Sequence, residues 1–271
     1  MLNASPISDE LASALRNRRY PALGVFLPAG LTSSRTERRT LDVLSRQGAD
    51  VIEVGIPVAD PVLDGPVITA AYRRGLDRGT TLPDVLRTVE YAASKGPVVV
   101  MAYWETAAQY GPARLARELK AAGASGVMIA DLPAAQASTW NRAVADAALS
   151  APRLVPRDTR QKQLFPLCTA ASGWLYAPAA HSRTGYQGPV DVEALAEFTQ
   201  RLRSVSSLPV VSGVGISTPE LAQHIAPLVD GVVIGTPVVR ALASGNRHEA
   251  EVLVSGFAAA LRPATDGTVD G

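Results

Sequence analysis

Short apolar runs recur along the whole chain, at Leu23–Leu27, Val51–Val54, Val98–Met101, Gly126–Ile129, Leu154–Val155, Trp174–Tyr176, Pro209–Val211 and Gly231–Ile234. Most are rich in Val and Ile and show no polar alternation, which is the pattern of parallel strands buried on both faces. The segments between them carry helical spacing. Thr40–Gln47 has Leu41 and Leu44 three apart, Ala113–Ala122 has Leu115 and Leu119 four apart, and Val192–Leu202 carries Leu195, Phe198 and Leu202, so each presents one apolar stripe. Pro66–Arg74 reads as an additional helix. Strand, helix and strand therefore alternate, which implies right-handed βαβ units and a parallel sheet. Eight such runs in 271 residues predict an α/β fold, a single (β/α)8 TIM barrel with extra short helices; such barrels typically take about 250 residues. The alternative, an open doubly wound sheet, usually carries a glycine-rich turn after its first strand. Here that place holds Pro28-Ala29-Gly30-Leu31-Thr32. The barrel is expected over residues 1–262, with the polar segment Pro263–Gly271 as a frayed tail.

Composition narrows the function classes. Lys and Arg number 26 against 25 Asp and Glu, so the formal net charge is +1 and the electrostatic case for a nucleic-acid partner is missing. The single cysteine, Cys168, excludes an intrachain disulfide and reads as buried packing. His181, His224 and His248 are widely spread, which speaks against a histidine metal cluster; His181 falls on a candidate rim loop. The opening Met1–Pro6 has neither a basic nor an apolar leader region, and no stretch reaches the roughly 18 apolar residues of a membrane span. A cytoplasmic protein with no membrane partner is expected.

Two places carry candidate chemistry. The seventh run leads into Ser212-Gly213-Val214-Gly215-Ile216-Ser217-Thr218-Pro219 and the eighth into Gly235-Thr236-Pro237. In a barrel these turns are neighbours at the C-terminal rim, where phosphate sites recur. Glycines let backbone N–H groups approach an anion, a helix starting near Pro237 would aim its N-terminus at the same point, and Thr236 adds a hydroxyl donor. Turn-making alone is the plainer reading of these glycines. The loop Ser182–Gly188 follows strand six and could add a glycine and act as a lid. The second place is Glu53, flanked by Ile52 and Val54 inside an apolar strand. Burial there is costly unless the carboxyl faces a pocket or keeps its proton, and a raised pKa is what a general acid/base near neutral pH requires. Asp60 and Asp64 follow on the loop, where Asp-Pro and Asp-Gly-Pro are also ordinary turn chemistry.

Glu53-Val54-Gly55-Ile56-Pro57, with Ala59-Asp60-Pro61 and Asp64-Gly65-Pro66, resembles the signature of the tryptophan synthase α-subunit family. Ile129-Ala130-Asp131-Leu132-Pro133, Ser182-Arg183-Thr184-Gly185 and Gly213–Pro219 match further blocks in family order, from about Leu23 to Arg262. The resemblance implies a cofactor-free lyase that cleaves indole-3-glycerol phosphate to indole and glyceraldehyde 3-phosphate, with a tryptophan synthase β subunit as a partner. It implies Glu53 as principal acid/base, Asp64 as the carboxylate at the indole N–H, and Tyr176 as a tyrosine near the acid/base. Phe26 and Tyr103 match positions of the indole pocket, and Ile129 is placed with the substrate-binding residues. Gly188, Gly215, Gly235 and Thr236 match the phosphate cup, with Gly213 beside them.

The chain also departs from the family. Met101-Ala102-Tyr103-Trp104-Glu105-Thr106 lacks the Asn-Pro pair that follows strand three on the surface facing the β subunit. The turn between Tyr176 and Ser182 is about three residues longer than in the family. Pro156-Arg157-Asp158-Thr159 departs as well, and Gln187 stands where the family has the threonine that meets the carboxylate at Asp64. These departures leave two alternatives, a stand-alone indole-producing lyase of a specialised pathway and a non-catalytic activator of a β subunit.

Overall fold

The computed structural model describes residues 10–262; the expected tail Pro263–Gly271 and the opening Met1–Pro6 lie outside them. All eight apolar runs are strands: β1 Ala22–Pro28, β2 Val51–Gly55, β3 Val98–Ala102, β4 Gly126–Ile129, β5 Arg153–Leu154, β6 Leu175–Pro178, β7 Val210–Gly213 and β8 Gly231–Ile234. They pair in parallel in the order β4-β3-β2-β1-β8-β7-β6-β5. The two outer strands meet through a parallel bridge between Gly126 and Ser150, with Val127 N–H donating to Ser150 O at 2.9 Å and Ser150 N–H to Ser125 O at 3.1 Å. The sheet thereby closes into a barrel, most weakly at the two-residue β5. Every residue of β1, β2, β4, β7 and β8 is buried, because helices cover the outer face while side chains fill the inner one.

The helices follow from the stripes. Ser34–Arg46 starts at Ser33, whose hydroxyl accepts the Thr36 N–H, and buries Glu37, Thr40, Leu41 and Leu44. Val192–Arg203 starts at the Asp191 cap, buries Leu195, Phe198, Thr199 and Leu202, and ends with Arg201 and Arg203 at the negative end of its dipole. The additional helix runs Pro66–Asp77, with Pro66 in its first turn. A short helix, Glu10–Arg16, covers the N-terminal end of the barrel. A Cβ on Gly126 or Gly173 would stand 3.2 or 3.0 Å from Leu11 Cδ2, and one on Gly231 would stand 3.4 Å from Leu15 Cδ2. These glycines leave room for the leucines that stop the base.

Asp50 joins the ends of the described chain at that base. Its carboxylate accepts the Leu23 N–H at 2.9 Å and binds Arg262 through both oxygens at 2.7 Å and Arg18 at 2.7 Å. Arg262 closes the last helix, Arg247–Leu261, against the start of β1. Truncation would strand a partly buried N–H and two guanidinium groups. Asp50→Ala is expected to lower the unfolding free energy by about 2–3 kcal/mol, read as a lower urea midpoint with the slope unchanged.

Candidate active site

The strands' C-terminal ends open into a cavity of about 650 Å³. Phe26, Ile68, Met101, Met128, Leu154 and Val233 form its apolar wall, and Glu53, Asp64, Tyr103 and Tyr176 are among its polar groups. Gly185, Gly215, Ile216, Ser217, Gly235 and Thr236 line the opposite end, with His181 and Arg183 also on the lining.

Glu53 lies level with Phe26 on β1 and Val99 on β3. It is 2% exposed, and its Oε1 has no hydrogen-bond partner. Burial alone pushes its pKa from 4.5 to about 8, so the group holds a proton at neutral pH. Asp64 lies in a different environment. It is 4% exposed and takes the Tyr103 hydroxyl on Oδ2 at 2.7 Å and the Thr184 hydroxyl on Oδ1 at 3.0 Å. Burial raises its pKa, and the two hydroxyls oppose that rise. Asp60, by contrast, is exposed on the loop. The two carboxyls thus differ in kind, one without a donor at Oε1 and one held by two donors.

Gln187, at the position of the family's threonine, was a departure that left the contact with Asp64 without its partner; Gln187 is exposed, and Thr184 makes that contact. The same Thr184 oxygen accepts the Gly65 N–H at 2.9 Å. The loop after β6 is therefore already joined to the loop after β2. Ala179 and Ala180 extend the pairing with β7 through Gly213 O and Val214 O at 3.2 and 2.9 Å. Arg157, from the divergent loop after β5, donates to Pro178 O and Ala179 O at 3.3 and 3.1 Å. The extra residues are thus held in an ordered course that brings Thr184 to Asp64.

Three other placements differ from expectation. Ile129 is buried but does not line the cavity, whereas Met128 and Ala130 do. Strand alternation turns Ile129 to the helix side. Gly188 does not line it either; a Cβ there would meet the Tyr186 hydroxyl at 2.3 Å. Gly185 instead faces Thr236, whose Cγ2 would lie 3.2 Å from its Cβ. Gly213 is not part of the lining because its missing side chain leaves space for Tyr176: a Cβ there would lie 1.6 Å from the phenolic oxygen. The Val214 N–H donates to that oxygen, which leaves the tyrosine proton free.

Gly215, Gly235 and Thr236 do line the far end. Val214 and Gly215 have φ of 28° and 98°, a left-handed pair that turns the chain sharply after β7. Helix Thr236–Ala243 begins directly after β8 with Gly235 as its cap, so its unpaired N–H groups start at the cavity. Among the described residues, no cluster of three or more His, Cys, Asp or Glu side chains is placed to hold a metal ion, and no helix is long and apolar enough to cross a membrane. Cys168 is free and buried, and His224 lies exposed on its helix with Nδ1 at 3.0 Å from Glu220 O.

This is the architecture of a (β/α)8-barrel enzyme with its polar groups gathered at the C-terminal rim. Residues 12–265 match the family model for the tryptophan synthase alpha chain. The tryptophan synthase alpha chain of Streptomyces avermitilis is 36% identical over 236 residues, 86% of this chain and 84% of that one. That of Citrifermentans bemidjiense is 34% identical over 260 residues, 95% and 97% of the two chains. A structure of Mycobacterium tuberculosis tryptophan synthase superposes with a TM-score of 0.87 at 32% identity, covering 96% of this chain and 99% of that one. The tryptophan synthase alpha subunit of Legionella pneumophila superposes with a TM-score of 0.82 at 27% identity, covering 93% and 97%. The chain belongs to the tryptophan synthase alpha chain family.

Proposed function

We propose that the chain is a carbon–carbon lyase that cleaves indole-3-glycerol phosphate to indole and glyceraldehyde 3-phosphate. The observation that carries this reading is the buried Glu53, protonated near neutral pH and facing an apolar cavity whose far end is lined by Gly215, Gly235 and the start of helix Thr236–Ala243. Phe26, Met101, Met128 and Val233 hold the indole ring, and Gly215, Gly235 and Thr236 hold the phosphate. Glu53 gives its proton to indole C3. The resulting indoleninium carries its charge at N1, where the Asp64 carboxylate offsets it. The bond from C3 to the glycerol carbon then breaks, its electron pair returning the ring to neutral indole. The hydroxyl on that carbon becomes the aldehyde and returns its proton to Glu53. Two carboxyls in unlike surroundings divide proton transfer from charge stabilisation.

A tryptophan synthase β subunit is the macromolecular partner that family membership suggests. Val62 and Leu63, exposed apolar residues of the loop after β2, fit a contact at the cavity mouth. The presence of both carboxyls in one cavity favours the lyase over a non-catalytic activator. The substrate is an anionic phosphate ester that does not cross a bilayer unaided, which supports a cytoplasmic location. Incubation with indole-3-glycerol phosphate, alone and with a β subunit, is expected to release indole in both cases and faster with the partner. Absence of indole in both would refute the reading.

A further inference from the structure

Tyr72 looks at first like core packing, in a buried stripe with Ile68, Ala71 and Gly75 on helix Pro66–Asp77. Its hydroxyl lies elsewhere. Gly55 follows Glu53 by two residues on β2, so both face the same side of the strand. A Cβ on Gly55 would stand 2.5 Å from Tyr72 Oη and 2.7 Å from Phe26 Cζ. The Phe26 and Tyr72 rings meet edge to face, 6.4 Å apart. The phenol tip therefore enters through the gap left by Gly55, one side-chain repeat, roughly 7 Å, beyond Glu53 on the same strand face.

Tyr72 is 0% exposed, and its hydroxyl has no hydrogen-bond partner. Glu53 Oε1 is likewise enclosed and without one. An unpaired buried hydroxyl is costly, and phenylalanine would fill the same space without that cost. Burial raises the phenol's pKa well above its usual value, and Asp64, Tyr103 and Glu53 raise it further in that order. The group therefore stays a proton donor, within electrostatic reach of the acid.

We propose that Tyr72 is a positioning residue for Glu53, its hydroxyl donating to the Glu53 carboxylate once the acid's proton has moved to the indole ring. The proposal rests on the lyase reading of Glu53. The lack of a donor costs neutral Glu53 far less than it would cost the carboxylate left in an apolar cavity. With that hydrogen bond the carboxylate is held to recover its proton from the glycerol hydroxyl, and Tyr72 itself loses none. Tyr176, over Gly213, is the second phenol facing the acid; Asp64, Tyr103, His181, Arg183, Tyr186, Arg240 and Glu249 are the other titratable groups on the cavity lining.

The test is Tyr72→Phe in the full-length chain. In the ligand-free protein, the carboxylic-acid infrared band of Glu53, assigned by its loss in Glu53→Gln, is followed against pH. Loss of the donor moves its midpoint upward by about one pH unit. In steady state, kcat falls about tenfold, KM stays within about twofold, the alkaline limb of the rate profile moves up, and the melting temperature does not fall. An unchanged infrared midpoint, or an unchanged kcat, overturns the role. A wild-type protein that makes no indole defeats the lyase reading instead, while the infrared midpoint still decides whether Tyr72 donates to Glu53.

Discussion

Glu53→Gln is expected to reduce indole release by about 10³-fold, within the range for loss of a general acid/base, while substrate affinity changes little. The exchange preserves shape and hydrogen-bonding capacity and removes only the transferable proton. Affinity is set at the apolar wall and the glycine end, which the exchange leaves intact. Single-turnover rates and binding calorimetry separate the two quantities. In the wild type, the rate should also fall as pH rises through about 8, where the buried acid loses its proton.

The same carboxyl ties stability to pH. Its folded pKa lies above the unfolded value of 4.5, at about 8. Between those values the native chain holds a proton that the unfolded chain has released. Its contribution is therefore fully present below pH 4.5 and is lost as pH rises through about 8, an effect on the order of 5 kcal/mol. Gln cannot titrate, so urea midpoints of Glu53→Gln should decline less from pH 5 to 8 than those of the wild type. Parallel declines, or a variant that keeps more than about a tenth of the rate, would remove Glu53 from its role.

Glu53 was legible because a charged residue stands out in an apolar parallel strand. The strands themselves were legible for the same reason, down to the two-residue β5, although Trp174 precedes β6 rather than opening it. Inward and outward faces were not. Ile129 and Met128 are both apolar and both buried, so hydropathy does not say which one meets the cavity. Gly213 reads as an anion-binding glycine, but its task of admitting Tyr176 depends on how a side chain of β6 leans over β7. Tyr72 is hidden by its own helical spacing, since nothing local reveals that Gly55 opens a path for its hydroxyl. Thr184 was missed as the partner of Asp64 because that contact depends on the course of a lengthened turn, and Arg157, 21 residues before Pro178, helps to hold that course.

Asp64→Asn removes the charge at the second carboxyl and keeps one of its two accepted hydrogen bonds. Asparagine keeps the shape but has a single acceptor oxygen, so of the Tyr103 and Thr184 hydroxyls, now 2.7 and 3.0 Å from separate carboxylate oxygens, it can accept from only one. It cannot offset a positive indoleninium. The expected loss is about 10²–10³-fold in kcat, the scale of removing one preorganised electrostatic contact from a transition state, with KM nearly unchanged. Thr184→Val makes the complementary change, keeping the charge but removing both the donor to Asp64 and the acceptor of the Gly65 N–H. It should free the loop after β6, raise KM and lower kcat by about tenfold. If asparagine were as harmless as valine, the Asp64 charge would not act on the ring. The carboxylate would then serve only to hold the two loops together, and charge stabilisation at N1 would have to come from another group.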